Sequence, residues 1–153
     1  MKLREIINFD ANNMGRIVAI DYGTKRTGIA VTDPEKIIAT GLTTVRSHEL
    51  ISYLEKYISD NNVECFVVGE PKQMNNLESE SAKAVNGFVK QLKKKFSSIP
   101  VKRMDERFTS KMAIQSIRDS GAKKSDRQNK ELVDMVSATI LLQSYMEMEN
   151  NGQ

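Results

Sequence analysis

The chain has 153 residues, which suits one domain with a core of its own. It carries 23 Lys and Arg against 20 Asp and Glu, so a net charge of +3 is weak evidence for a nucleic-acid partner. The single cysteine, Cys65, excludes an intramolecular disulfide, and its apolar neighbours indicate a buried, inert thiol. No apolar run suits a membrane span and no signal-peptide pattern opens the chain, so we expect a soluble cytoplasmic protein without a membrane partner.

The order of the predicted elements indicates an α/β fold. Residues 1–13 lack sustained periodicity and are predicted to lie outside the fold, residues 14–148 form the domain, and residues 149–153 form a frayed tail. Hydrophobic patterning predicts strands over 17–20, 29–31, 37–45, 63–69 and 99–104, and helices over 47–60, 78–96, 109–120 and 131–148. An initial meander followed by βαβ crossovers implies one mixed five-stranded sheet with helices on both faces.

The hairpin of the first two strands is the centre of the candidate site. Asp21 follows the apolar run 17–20, and the turn after it carries Lys25 and Arg26. A carboxylate at the rim of a core is costly unless it is paired, and its usual partners are a metal ion or phosphates bound through a metal. The alternative is an Asp that only caps the turn through backbone amides.

Further acids follow the later strands. Glu70 follows the fourth strand, and Asp105 and Glu106 follow the fifth. If these strands are parallel to the first, the acids gather with Asp21 at the carboxyl end of the sheet, where open α/β sheets bind ligands.

The last predicted helix contributes one more acid. Asp134 shares a face with the small residues Ser137 and Ala138, which would let that face lie close against the sheet. The alternative is that Asp134 lies at the solvent-exposed edge of the apolar face of an amphipathic helix. Carboxylates from distant segments suit Mg²⁺ or Mn²⁺, and two such ions ~4 Å apart can activate water and stabilise the leaving oxygen of a phosphodiester.

Basic residues flank these acids. Lys25, Arg26 and Arg107 could hold phosphates, or they could be ordinary surface charges. The polar loop 122–130 carries the further nucleic-acid-binding candidates Lys123, Lys124 and Arg127.

Four motifs together resemble the YqgF family. They are Asp21-Tyr-Gly-Thr-Lys-Arg-Thr-Gly-Ile-Ala-Val31, Val67-Val-Gly-Glu-Pro71, Asp105-Glu-Arg-Phe-Thr-Ser110 and Val133-Asp-Met-Val-Ser-Ala-Thr-Ile-Leu-Leu142. This family comprises the bacterial Holliday-junction-resolvase-like proteins, which are regarded as pre-16S rRNA nucleases with an RNase H-like fold. The resemblance covers residues 14–148 and implies Asp21, Glu106 and Asp134 as a metal-binding catalytic triad, a cofactor of two Mg²⁺ or Mn²⁺ ions, and a role in ribosomal RNA maturation.

The chain departs from the family pattern at two positions. Glu70 stands where the family often has Leu, which puts an extra acid near the site. Leu132 stands two positions before Asp134, in a stretch where a basic residue is common. We expect Glu70 and Asp105 to belong to the outer shell of the metal site, without binding the ions directly.

The sequence is compatible with three functions. The first is a metal-dependent endonuclease acting on structured RNA, with branched DNA as the competing substrate. The others are a non-catalytic RNA-binding assembly factor and an ATPase of the actin type, for which this chain lacks both a second domain and a second glycine-rich loop. We expect a monomer or a homodimer, because junction resolution favours a symmetric dimer whereas trimming of one RNA end does not.

Overall fold

The computed structural model describes residues 15–71, 79–105, 109–121, 123, 125 and 129–151. The strands are β1 (Arg16–Asp21), β2 (Arg26–Thr32), β3 (Ala39–Arg46), β4 (Val63–Glu70) and β5 (Val101–Asp105). The α-helices are α1 (Leu50–Asp60), α2 (Glu80–Lys95), α3 (Thr109–Asp119) and α4 (Lys130–Asn151), and a short 3₁₀ turn covers Ser47–Glu49.

The strands form one mixed sheet in the order β3-β2-β1-β4-β5. β1 pairs antiparallel with β2, and β2 pairs antiparallel with β3. β4 is parallel to both β1 and β5, as the crossover connections require. The predicted mixed five-stranded sheet is confirmed.

Both faces of the sheet are covered. Val18 and Ile20 of β1 are buried in a core that includes residues of α1 and α2. Ile17 and Ala19 point the other way and are buried with residues of α4. Successive side chains of a strand alternate between its two faces, so these residues define the two faces of the sheet. We call them the α1/α2 face and the α4 face.

Two helix starts differ from those expected. Ser47, predicted to cap the first helix, lies in the 3₁₀ turn instead, and α1 begins three residues later at Leu50 without a side-chain cap. Ser79 caps α2, accepting a hydrogen bond of 2.9 Å from the backbone amide of Ala82.

The last helix is longer than predicted. Its start is capped by Asn129, whose Oδ1 accepts hydrogen bonds from the backbone amides of Glu131 and Leu132. Its end lies at Asn151, three residues beyond the predicted Met148, and Glu149 forms a side-chain hydrogen bond with Tyr145 one turn earlier.

The single cysteine lies in the core, as expected from its apolar neighbours. Cys65 is 7% exposed, and burial raises the pKa of its thiol. Within the described ranges, no helix has both the length and the apolar character needed to cross a membrane.

Candidate active site

The carboxyl ends of three parallel strands meet at one edge of the sheet. β1 ends at Asp21, β4 ends at Glu70 and β5 ends at Asp105. Because the three strands run in the same direction, the structure brings these acids to the edge at which the sequence predicted them.

The residue after Asp21 anchors the strand end. The Tyr22 ring stacks on Phe88 of α2, with ring centroids 4.6 Å apart and planes 9° apart. Tyr22 therefore belongs to the α1/α2 face, with Val18 and Ile20. Alternation then places Asp21 on the α4 face.

Gly28 fixes how closely α4 approaches Asp21. Gly28 is the register partner of Asp21 in the antiparallel pair, so the two residues share a face. A Cβ atom at Gly28 would lie 1.9 Å from the backbone oxygen of Asp134, a distance at which no side chain fits. The close approach therefore brings Asp134 to the same edge and the same face as Asp21.

The small residues of α4 allow this approach. Ser137 and Ala138 are both fully buried, with exposures of 1% and 0%. Their predicted role in close packing is confirmed. Sequence patterning identifies Gly28 only as part of a turn, although a glycine inside a strand often marks the close approach of another backbone.

Asp134 has a cationic partner from the neighbouring strand. The Nε atom of Arg26 donates a hydrogen bond of 2.8 Å to Oδ2 of Asp134, and the two side chains are 33% and 24% exposed. Arg26 lies two residues before Gly28 on β2, so it shares the α4 face. Arg26, predicted as a phosphate ligand, is thus paired with a predicted metal ligand.

Ser47 holds the turn between Asp21 and Arg26. Its backbone amide donates a hydrogen bond of 2.9 Å to the Lys25 carbonyl. Its hydroxyl donates to the Gly23 carbonyl, so the 2.9 Å contact with Thr27 Oγ1 has Thr27 as the donor. No local pattern in the sequence indicates this clamp, because Ser47 is distant from the turn in sequence and matches a helix-cap pattern.

A polar cleft of about 480 Å³ lies beside this turn. It is lined by Lys25, Arg26, Thr44, Val45, Arg46, Glu49 and Glu131. Arg46 is the register partner of Arg26 across β2 and β3, and both arginines line the cleft. Arg46 was not among the predicted site residues.

Glu70 and Asp105 lie on the other face of the sheet. They are register partners across β4 and β5. Arg103, two residues before Asp105, donates a hydrogen bond of 3.2 Å to Asn86 of α2, which identifies this side as the α1/α2 face. The structure therefore does not bring these two acids together with Asp21 and Asp134.

The remaining predicted residues divide into two groups. Lys123 is described and is exposed. The residues Glu106, Arg107, Lys124 and Arg127 lie outside the described residues. Within the described part of the chain, no three His, Cys, Asp or Glu side chains form a group that could hold a metal ion.

The chemistry around Asp21 and Asp134 nevertheless fits a divalent cation. Both supply carboxylate oxygens, the donors that Mg²⁺ and Mn²⁺ prefer. One turn after Asp134, the buried hydroxyl of Ser137 has no hydrogen-bond partner in the described structure. A buried polar atom of this kind calls for a bound water or ion.

Comparison with known protein families and sequences finds relatives that match most of this chain. A family model described as "RuvX: Holliday junction resolvase" matches residues 15–148. A Phocaeicola vulgatus protein named "Putative pre-16S rRNA nuclease" is 59% identical over 134 residues, which cover 88% of this chain and 96% of that protein. A Flavobacterium johnsoniae protein of the same name is 56% identical over 133 residues, covering 87% and 96% of the two chains. The resemblance that the four motifs predicted is confirmed.

The fold has solved relatives as well. A structure described as "T. thermophilus RuvC in complex with Holliday junction substrate" matches with a TM-score of 0.55 and 17% identity, covering 90% of this chain and 96% of that one. A second structure of RuvC from Thermus thermophilus matches with a TM-score of 0.51. These likenesses concern the fold alone, and they identify it as RNase H-like.

Proposed function

Since the chain belongs to the RuvX Holliday junction resolvase family, we propose that it is a nuclease that hydrolyses phosphodiester bonds with the help of divalent metal ions. The observation that carries this proposal is the placement of Asp21 and Asp134 on one face at one sheet edge, enforced by the close approach at Gly28. The proposed substrate, precursor 16S rRNA, is taken from the name of curated relatives that are more than half identical to this chain. We further propose that the reaction processes its 5′ end. The proposed compartment is the cytoplasm, where precursor rRNA is matured.

The proposed metal site consists of Asp21, Glu106 and Asp134. The choice of Glu106 over its neighbour follows the family motif, and Asp105 lies on the α1/α2 face, away from Asp21 and Asp134. Two Mg²⁺ or Mn²⁺ ions held there would supply an activated water and charge stabilisation at the leaving oxygen.

The chain's own residues have separate roles in this proposal. Asp21 is held on a rigid strand end by the Tyr22–Phe88 stack, and Ser47 fixes the turn that presents Lys25 and Arg26. The cleft beside the turn and the exposed Lys123 would contact the phosphate backbone of the nucleic acid. Glu70 and Asp105 would have outer-shell roles and would not bind the ions directly.

The decisive experiment compares two substrates in parallel. Purified protein is incubated with Mg²⁺ or Mn²⁺ and either a precursor 16S rRNA fragment with its 5′ extension or a four-way DNA junction. Asp134→Asn, prepared identically, controls for contaminating nucleases. We expect metal-dependent cleavage of the RNA by the wild-type protein only.

Other outcomes would favour the competing functions. Symmetric cleavage of the junction, with a dimer in size-exclusion chromatography, would assign the chain to junction resolution, as the family description suggests. Binding of the RNA without cleavage in either metal would indicate a non-catalytic assembly factor.

A further inference from the structure

The ion pair between Arg26 and Asp134 occupies the proposed metal site. The carboxylate proposed to hold a divalent cation already accepts a charged hydrogen bond of 2.8 Å from a guanidinium. Both side chains are about one quarter to one third exposed, so the pair is accessible to solvent ions. A surface pair of this kind is only weakly stabilising, and a divalent ion can compete with it.

The surroundings of Arg26 favour its displacement. Arg46 is the register partner of Arg26, and like charges opposite each other on an antiparallel pair repel. Asp134 compensates this repulsion as long as it is paired with Arg26. Once the carboxylate turns to a metal ion, the two guanidinium groups need another anion between them.

The charge balance of the cleft changes with this event. While Arg26 is paired with Asp134, Lys25 and Arg46 in the cleft are balanced by Glu49 and Glu131. Release of Arg26 gives the cleft an excess positive charge beside the site of cleavage. A phosphate group of the nucleic-acid backbone is the anion with the matching charge and geometry.

We infer that Arg26 is a stand-in cation for Asp134: a metal ion displaces it, and the released guanidinium then binds a backbone phosphate together with Arg46. This inference rests on the proposed metal site. It makes metal binding and nucleic-acid binding cooperative through one side chain, and such coupling is reciprocal.

The first test measures metal affinity in the absence of nucleic acid. Mn²⁺ is titrated into wild type, Arg26→Gln and Arg46→Gln, and free Mn²⁺ is followed by electron paramagnetic resonance. Arg46→Gln is the matched control, because it removes the same charge from the cleft without touching Asp134. We expect Arg26→Gln to bind Mn²⁺ roughly threefold tighter than wild type, and clearly tighter than Arg46→Gln, since the competitor has been removed.

The opposite sign would overturn the inference. If Arg26 instead orients Asp134 for the metal, Arg26→Gln binds Mn²⁺ more weakly than wild type. If the wild type binds no more Mn²⁺ than Asp134→Asn does, the proposed metal site fails, and this inference fails with it. The two failures are therefore distinguishable.

The second test measures the coupling itself. The affinity for a fluorescent precursor-rRNA fragment is measured by anisotropy with a chelator and again with Ca²⁺. Each protein is compared with its own affinity in chelator, and the wild type should gain roughly threefold more affinity from the ion than Arg26→Gln gains. Direct bridging of phosphate by the ion is common to both proteins, so equal gains would overturn the role of Arg26.

Discussion

Gly28 and Asp134 are in contact through their backbones: a Cβ atom at Gly28 would lie 1.9 Å from the Asp134 carbonyl oxygen. Gly28 is also the register partner of Asp21. One glycine therefore joins the strand that ends at Asp21 to the helix that carries Asp134. Two carboxylates repel each other when no cation lies between them, so packing brings these two acids to one place. The candidate site therefore depends on this backbone contact.

Replacement of Gly28 by Ala should separate the two acids. The new methyl group meets backbone, which cannot rotate away, so α4 must shift. We expect the free energy of unfolding to fall by about 1–3 kcal/mol, and the thermal stabilisation by Mn²⁺ to disappear. Differential scanning calorimetry with and without Mn²⁺ measures both effects.

Gly87→Ala is the matched control for this change. Gly87 lies within α2 and has open space where a Cβ would stand. The same substitution there should raise stability by about 0.5–1 kcal/mol and leave the response to Mn²⁺ intact. Equal melting temperatures for Gly28→Ala and wild type would contradict the close approach.

Asp134→Asn tests the metal site by stability rather than by activity. Without metal, the variant loses a partly exposed ion pair with Arg26 but is relieved of repulsion from Asp21, so its stability should stay within about 1 kcal/mol of wild type. Millimolar Mg²⁺ or Mn²⁺ should raise the melting temperature of wild type by binding the folded state, and should do so much less for the variant. Identical shifts in both proteins would remove Asp134 from the metal site.

Asp105, the last residue of β5, and Glu106, the next residue in the sequence, should differ in function. Glu106→Gln should abolish cleavage, whereas Asp105→Asn should only weaken it, because Asp105 lies on the α1/α2 face. Glu70→Leu is the matched control on that same face and should remain active. Single-turnover cleavage rates with saturating Mg²⁺ compare the three variants, and equal losses at 105 and 106 would show that both carboxylates reach the site.

The basic loop should contribute to affinity through counterion release. Replacement of Lys123, Lys124 and Arg127 by Ala should weaken RNA binding and flatten its dependence on salt, by about 0.7 on logarithmic axes for each phosphate that is no longer neutralised. The measurement is anisotropy at several KCl concentrations. Ala substitution of the exposed Lys56 and Lys90, on helices α1 and α2, provides the control. An unchanged slope would show that the loop does not contact the nucleic-acid backbone.

Stability should decline in alkaline solution. Burial raises the pKa of the Cys65 thiol and of the Tyr145 hydroxyl above their ordinary values. The folded state then retains protons that the unfolded state loses, so the stabilisation is complete below the unfolded pKa, about 8.5 for a thiol, and is lost as the pH rises through the folded pKa. Urea unfolding between about pH 7 and pH 10.5 should show this decline, and Cys65→Ala should reduce it above about pH 8.5.

Much of the fold follows from local patterns in the sequence. The apolar run before Asp21 predicted a buried strand, and the order of strands and helices predicted the mixed sheet with its parallel half. That half is sufficient to bring Asp21, Glu70 and Asp105 to one edge, because parallel strands end on the same side. The four motifs then identified the family before any contact was known.

Only the tertiary structure decided which of these residues meet. Register and alternation separated Asp21 from Glu70 and Asp105, which share its edge but not its face. The pairing of Arg26 with Asp134 joins residues 108 positions apart, and no periodicity in either segment reports it. Local patterns show which residues of one element share a face. Which faces of different elements meet, and how closely, depends on tertiary packing, and here the missing side chain of Gly28 sets that distance.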